Sequence, residues 1–144
     1  MKERELSSKE TRAKIEKLMS NVGTMFFATN GSHGHPNVRA MMPIRIDGTD
    51  TVWFATSLES SKLIELVKDS KAAVYGYSPN TMAEFRLWGN VAILDDYESR
   101  KRVWSDELKK YYPGGVDDPT MRILRFDVVS GLYAKDNKSG IFSN

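Results

Sequence analysis

Thr56, Ser57, Ser60, Ser61 and Lys62 place four hydroxyls and one ammonium within a single short stretch. Hydroxyls and an ammonium donate hydrogen bonds to oxyanions, so this set suits the seating of a phosphate. Other chemistry is thinly represented. His33 and His35 form an H-x-H in a glycine-rich turn, with no nearby Cys or Glu to complete a metal set. Two histidines in one loop do not make a Ser–His–Asp constellation. Asp95, Asp96 and Glu98 read as a helix cap and first turn, not an acid–base pair. No catalytic residue is assigned. With no cysteine in the chain, disulfides, iron–sulfur clusters, zinc–thiolate sites and cysteine nucleophiles are excluded.

A strand and a helix must hold the phosphate corner. Val52 to Thr56 is β-branched and aromatic, which reads as a strand. Leu58, Leu63, Leu66 and Val67 then follow at helical spacing, with Ser60 or Ser61 available as N-cap. Backbone N–H groups at a helix start are unpaired and carry the positive end of the dipole, which favours an anion there. The plainer alternative is a well-capped surface helix with a solvated Lys62.

The remaining elements follow in order. An amphipathic helix is expected over Ser7 to Met19, a strand over Val22 to Thr29, and a turn over Asn30 to Pro36. A returning strand spans Val38 to Ile46, and after the turn at Asp47 to Asp50 comes the strand already described. The phosphate-corner helix runs to about Lys68. Strands are expected at Ala72 to Ser78 and Ala83 to Leu94, with Gly89 marking a bulge or close backbone approach. Tyr97 to Lys110 reads as a helix ended by Tyr111 to Gly115, and Asp117 opens a short helical turn. Met121 to Tyr133 is the last strand, and the tail from Asp136 reads as loose. Short strands joined by hairpins predict a mainly β fold, an antiparallel barrel of six strands with peripheral helices. One domain is expected over residues 1–135, with a flexible tail over 136–144.

The totals agree with a single domain. A chain of 144 residues can bury one real core. A net charge of +2 gives no reason to invoke nucleic acid or an anionic membrane. The start, MKERELSSKETRAK, is charged where a signal peptide would be apolar, and no apolar run reaches membrane-spanning length. A cytoplasmic location is the expectation.

Four phrases, in order, resemble the flavin-binding split-barrel family related to pyridoxamine 5′-phosphate oxidase, and within it the general stress protein 26 branch. They are HPNVRAMMPI at 35–44, WFATSLESSKLIEL at 53–66, FRLWGNVAIL at 85–94, and the W…YYPGG…DP run from Trp104 to Pro119. The resemblance implies that the first phrase runs along the flavin through Arg39, Ala40 and Met41, with Ala40 where proline is common. It also implies a T/S-x-x-x-S-x-K phosphate site at Thr56, Ser60, Ser61 and Lys62, beside Ser57. An arginine usual before the lysine is replaced by Ser61, and a further phosphate-binding lysine aligns near Ile44. Met41 and Met42 also have a plain reading as packing residues, Trp53 and Trp88 as packing or dimer-contact residues, and Arg39 as a solvent-facing edge charge.

By this resemblance the protein is an FMN-dependent oxidoreductase with a stress-linked redox role and unknown substrate. It would act as a homodimer with flavin at the subunit interface, exchanging electrons with a small-molecule donor or acceptor. No G-x-G-x-x-G is present for a dinucleotide, which favours FMN. Pyridoxamine-phosphate oxidation itself is not expected, because GLYAKDNKSGIFSN lacks the arginine and histidine that hold that substrate's phosphate. Three alternatives stay open: a non-catalytic flavin-binding or sensing module, a haem-binding barrel with His33 or His35 as axial ligand, and a deazaflavin-binding barrel.

Overall fold

In the computed structural model, which describes residues 4–144, buried and exposed side chains alternate along the strands and give the sheet one inward face. Residues 1–3, the start of the charged N-terminal run, lie outside the described residues. The elements are β1 (Arg4–Glu5), α1 (Ser8–Val22), β2 (Met25–Asn30), β3 (Pro36–Met41), β4 (Arg45–Asp47), β5 (Thr51–Ser57) and α2 (Ser61–Lys68). They continue with β6 (Lys71–Ser78), β7 (Ala83–Leu94), α3 (Tyr97–Val103), β8 (Met121–Lys135) and β9 (Lys138–Ser143). Two 3₁₀ turns, Asp106–Lys110 and Gly115–Asp117, lie between α3 and β8.

Hydrogen bonding runs antiparallel through β3–β2–β6–β7–β8–β5–β4. This is a barrel left open between β3 and β4, each of which pairs with only one strand among the described residues. The fold class is as expected, but among the described residues the strands number nine instead of six. The returning strand expected over 38–46 is interrupted at Met42-Pro43-Ile44 into β3 and β4. Pro43 has no N–H to contribute to a ladder, and pairing resumes where Ile44 N–H donates to Trp53 O at 2.8 Å.

The other two strands come from β1 and from the tail, which is not loose. Residues 138–143 form β9 against the second half of β8, and β1 lies parallel to β9. The hairpin turns at Asp136, whose φ of +54° is tolerated by an aspartate. Phe142 is buried under the Arg12 guanidinium, 4.3 Å from its ring centroid. β8 is consequently a shared spine: β7 follows one edge, while the other edge takes β5 over 121–127 and β9 over 130–135.

Between those two partners sits the irregularity that Gly89 suggested. Trp88 faces Ser130 and Gly89 faces Val128, so Val129 is the extra residue, on β8. A Cβ on Gly89 would stand 2.2 Å from the Asp127 carbonyl oxygen, which only a glycine avoids. Gly89→Ala is therefore expected to lower stability by roughly 2 kcal/mol through overpacking. The check is the urea midpoint; a shift equivalent to less than about 0.5 kcal/mol would show that β8 moves aside freely.

Packing explains the helices. In α1, the Ser7 hydroxyl accepts from Glu10 N–H at 3.1 Å and the Glu10 carboxylate accepts from Ser7 N–H at 3.1 Å, a reciprocal cap. Thr11, Ile15, Leu18 and Met19 form its buried stripe, and Gly23, at φ +68°, ends it. The helix expected over 97–110 stops at Val103, because Trp104 turns extended and packs against a second core. That core holds Trp53, Val103, Leu108, Tyr112, Met121 and Ile123 outside the barrel, whereas Tyr111 is exposed. Buried Arg100 ties it together by donating to the carbonyls of Asp95 (2.8 Å), Asp118 (2.7 Å) and Met121 (2.7 Å). Among the described residues no helix is long and apolar enough to cross a membrane.

Candidate functional site

The corner between β5 and α2 is built by one short turn and one tertiary hydrogen bond. Ser60 N–H donates to Ser57 O at 3.0 Å, and Leu58 N–H donates to Thr120 O at 2.7 Å, anchoring the corner to the loop before β8. Ser60 occupies the N-cap position, yet its hydroxyl makes no capping bond. Instead the Lys62 ammonium donates to Ser60 Oγ at 2.7 Å and to the buried Thr56 Oγ1 at 2.9 Å. Lys62 is thereby folded back over the start of its own helix. No carboxylate among the described residues lies within 4.0 Å of it. Burial lowers its pKa from the ordinary 10.5, and the nearby Arg39 guanidinium lowers it further. The ammonium is thus partly desolvated, and among the described residues it has no carboxylate counter-ion.

Arg39 comes to this corner from β3. It pairs across the ladder with buried Phe27, so its side chain follows the inward side of the barrel rim and is not the solvent-facing edge charge of the plain reading. Nη1 donates to Thr29 Oγ1 at 2.8 Å and to Phe27 O at 3.4 Å, while Nη2 donates to Glu65 Oε1 at 3.0 Å. Glu65, on α2, is only 6 % exposed. Its Oε1 also accepts from Thr29 Oγ1 at 2.9 Å, and its Oε2 accepts from Asn37 Nδ2. Burial pushes the Glu65 pKa up, but the hydrogen bonds from Thr29, Asn37 and Arg39 and the guanidinium charge outweigh it, leaving the carboxyl below the usual range.

Lys62, Thr56 and Ser60 are thus in contact, and Arg39 comes near enough for its charge to depress the Lys62 pKa. Ser57 and Ser61 sit at the same corner, exposed. Ala40 faces the opposite side of β3, across from Phe26, and Met41 packs onto the main core. Met42 is exposed; Ile44 and Trp53 belong to the second core, Trp53 donating its Nε1–H to Asp47 Oδ2 at 2.9 Å. His33 and His35 lie in the exposed turn between β2 and β3, and no metal-competent cluster occurs among the described residues.

Thr29, Asn37 and Glu65 are additions that the sequence reading did not make. A signal existed for two of them. Thr29 breaks an inward-facing apolar series with Met25 and Phe27, and Glu65 lies one turn from Lys62 on the same helix face.

The outer face of the sheet is apolar where it adjoins the site. Register aligns Ala40 with Phe26, Phe26 with Tyr75, Ala73 with Trp88 and Ala28 with Val38. Trp88 is 41 % exposed and Val38 68 %. Phe26, Val38 and Trp88 thus set exposed apolar side chains on this side of the sheet.

The sequence model of the family described as pyridoxamine 5′-phosphate oxidase like matches residues 10–143. A Clostridium acetobutylicum protein related to general stress protein 26 of Bacillus subtilis is similar over 96 % of each chain, at 30 % identity and a TM-score of 0.86. General stress protein 26 from Bacillus anthracis shares the fold at 16 % identity, over 92 % of this chain and 98 % of its own, with a TM-score of 0.76. A pyridoxamine 5′-phosphate oxidase-related, FMN-binding protein from Nostoc punctiforme does so at 20 % identity, over 85 % and 81 %, with a TM-score of 0.65. No curated protein matches the chain.

Proposed function

Since the chain belongs to the pyridoxamine 5′-phosphate oxidase-like family, we propose that it binds FMN and serves as a flavin-dependent oxidoreductase for a small-molecule donor or acceptor. The observation that carries this reading is the Lys62 ammonium, held by Thr56 and Ser60 with no carboxylate to neutralise it. The donor set fits a phosphate monoester: one ammonium, two hydroxyls already turned toward it, and a helix start whose cap hydroxyl is engaged elsewhere. Ser57 and Ser61 would close the rim, and Arg39 would face the same anion. The outer edge of β3, which carries Arg39, Ala40 and Met41, is unpaired among the described residues, so its backbone groups are available to the polar edge of a ring system.

Bound flavin would supply hydride or single-electron transfer, and the protein's part is then orientation, exclusion of water and electrostatics. No acid–base residue is needed in that role, and Glu65 is committed to three donors. The likeness to proteins described as general stress protein 26 supports a stress-linked setting for such chemistry. The apolar outer face around Phe26, Val38 and Trp88 supports a homodimer, in which a second copy would cover this patch and help to enclose the flavin.

One experiment addresses both parts. Sedimentation equilibrium of the protein with added FMN, followed at the flavin's visible absorption band, is expected to place the chromophore on a species of twice the chain mass. Flavin that sediments only as free FMN would refute the cofactor; flavin on a species of single chain mass would refute the dimer.

A further inference from the structure

We propose that Glu65 is the positioning residue of this site: its buried carboxylate holds the Arg39 guanidinium at the rim of the Lys62 corner, so that two cations converge on one oxyanion. The inference rests on the reading of that corner as a phosphate seat. It assigns a role to a residue that would itself touch no ligand.

An arginine on an open strand edge has a long, freely rotating side chain that carries its charge outward into water. Arg39 is prevented from doing so. Glu65 Oε1 accepts from Nη2 at 3.0 Å, and Thr29, which donates to the same Oε1, accepts from Nη1 at 2.8 Å. Glu65 is in turn fixed by the α2 backbone on one side and by Asn37 on the other. The guanidinium is held from β2 and α2 at once, with its side chain still 23 % exposed. Its Nε–H has no acceptor among the described residues, which leaves a donor for a ligand.

The charges explain why a carboxylate can sit beside an anion seat. All of Glu65's bonds run to Arg39, Thr29 and Asn37, and none to Lys62. Glu65 offsets Arg39, and the ammonium keeps its full attraction for an anion. Stability alone does not account for the arrangement, because a buried ion pair gains little over apolar residues of equal size. A pinned, partly exposed arginine next to an uncompensated lysine is accounted for by preorganisation: the ordering of Arg39 precedes binding.

The test compares the wild type, Glu65→Gln, Arg39→Ala and the double variant, each titrated with FMN, riboflavin and inorganic phosphate. Glutamine keeps the shape and most hydrogen bonds but removes the charge that tethers Arg39. Glu65→Gln is expected to weaken FMN about 10-fold while changing riboflavin, which lacks the phosphate, less than about 2-fold. In the Arg39→Ala background the same change is expected to cost less than about 2-fold, since there is nothing left to position. Thr29→Val, which leaves the ion pair in place, is expected to weaken FMN about 3-fold and guards against a Glu65 variant that fails to fold.

Equal losses for FMN and riboflavin, an undiminished effect without Arg39, or tighter FMN binding by Glu65→Gln would each overturn the inference. A wild type that ignores FMN yet binds phosphate with the same dependence on Glu65 would remove the flavin and leave the positioning role standing. Binding of neither probe would end both.

Discussion

Lys62→Met is expected to weaken FMN binding about 100-fold, roughly 2.7 kcal/mol, without destabilising the ligand-free protein. The two halves of this expectation share one cause. In the free protein Lys62 is partly desolvated, lacks a carboxylate partner and is repelled by Arg39. Removing the charge relieves those costs, so the denaturation midpoint should stay within about 0.5 kcal/mol of the wild type or rise. In the complex the same ammonium meets the phosphate in a charge-assisted hydrogen bond, and its loss is felt in full.

The pH dependence gives an independent check on sign. Because burial and Arg39 hold the Lys62 pKa below 10.5, the unfolded chain binds this proton more tightly than the native state. The group's contribution to stability is therefore fully present above 10.5 and is lost as pH falls through its folded value. Lys62→Met should flatten that part of the stability profile. A variant that unfolds readily while binding FMN as well as the wild type would make Lys62 a structural residue and dismiss the phosphate seat.

The largest stability effect is expected at Phe27. Its ring is completely buried, meeting Phe54 edge-on at 5.2 Å and Phe126 at 6.3 Å inside the barrel. Phe27→Ala removes the centre of that cluster and should cost about 4 kcal/mol, transfer and cavity terms together. That is a large share of the roughly 5–15 kcal/mol by which a domain is stable. Phe27→Leu should cost much less. Guanidinium unfolding of the two variants measures the difference; a loss below about 1 kcal/mol for alanine would mean that the barrel collapses onto the space. Because the Phe27 carbonyl also accepts from Arg39, any displacement of β2 should be read in FMN affinity as well.

What could be read from the sequence was local. Ala83–Leu94 has both its ends where the sequence places them. Of Ser7 and Ser8, either of which could cap the first helix, Ser7 is the cap, paired reciprocally with Glu10. Thr56, Ser60 and Lys62 converge because a strand-to-helix corner brings near neighbours together, and six residues of chain suffice. Thr29 and Glu65 stand 36 positions apart and meet only because β2 and α2 close over the barrel rim. The spacing of Glu65 from Lys62 puts the two on one helix face, but the burial of Glu65 against Thr29 shows only in the packing. Phe142 was hidden for a related reason: two adjacent apolar residues, Ile141 and Phe142, among serines, glycine and lysine show no alternation that would announce a strand.

The shared spine of the sheet limits how chains of this architecture can change in length. β8 is paired on both edges, with β7 throughout and with β5 and β9 in succession. Since side chains alternate with a period of two, one residue inserted or deleted within it would turn the inward set outward beyond that point against every neighbour at once. The Val129 bulge is one such extra residue, tolerated at the boundary where β5 gives way to β9 and where Gly89 lets the backbones close. Insertions and deletions are thereby directed to the turns, at 31–35, 48–50 and 136–137, while the strands between them keep their count.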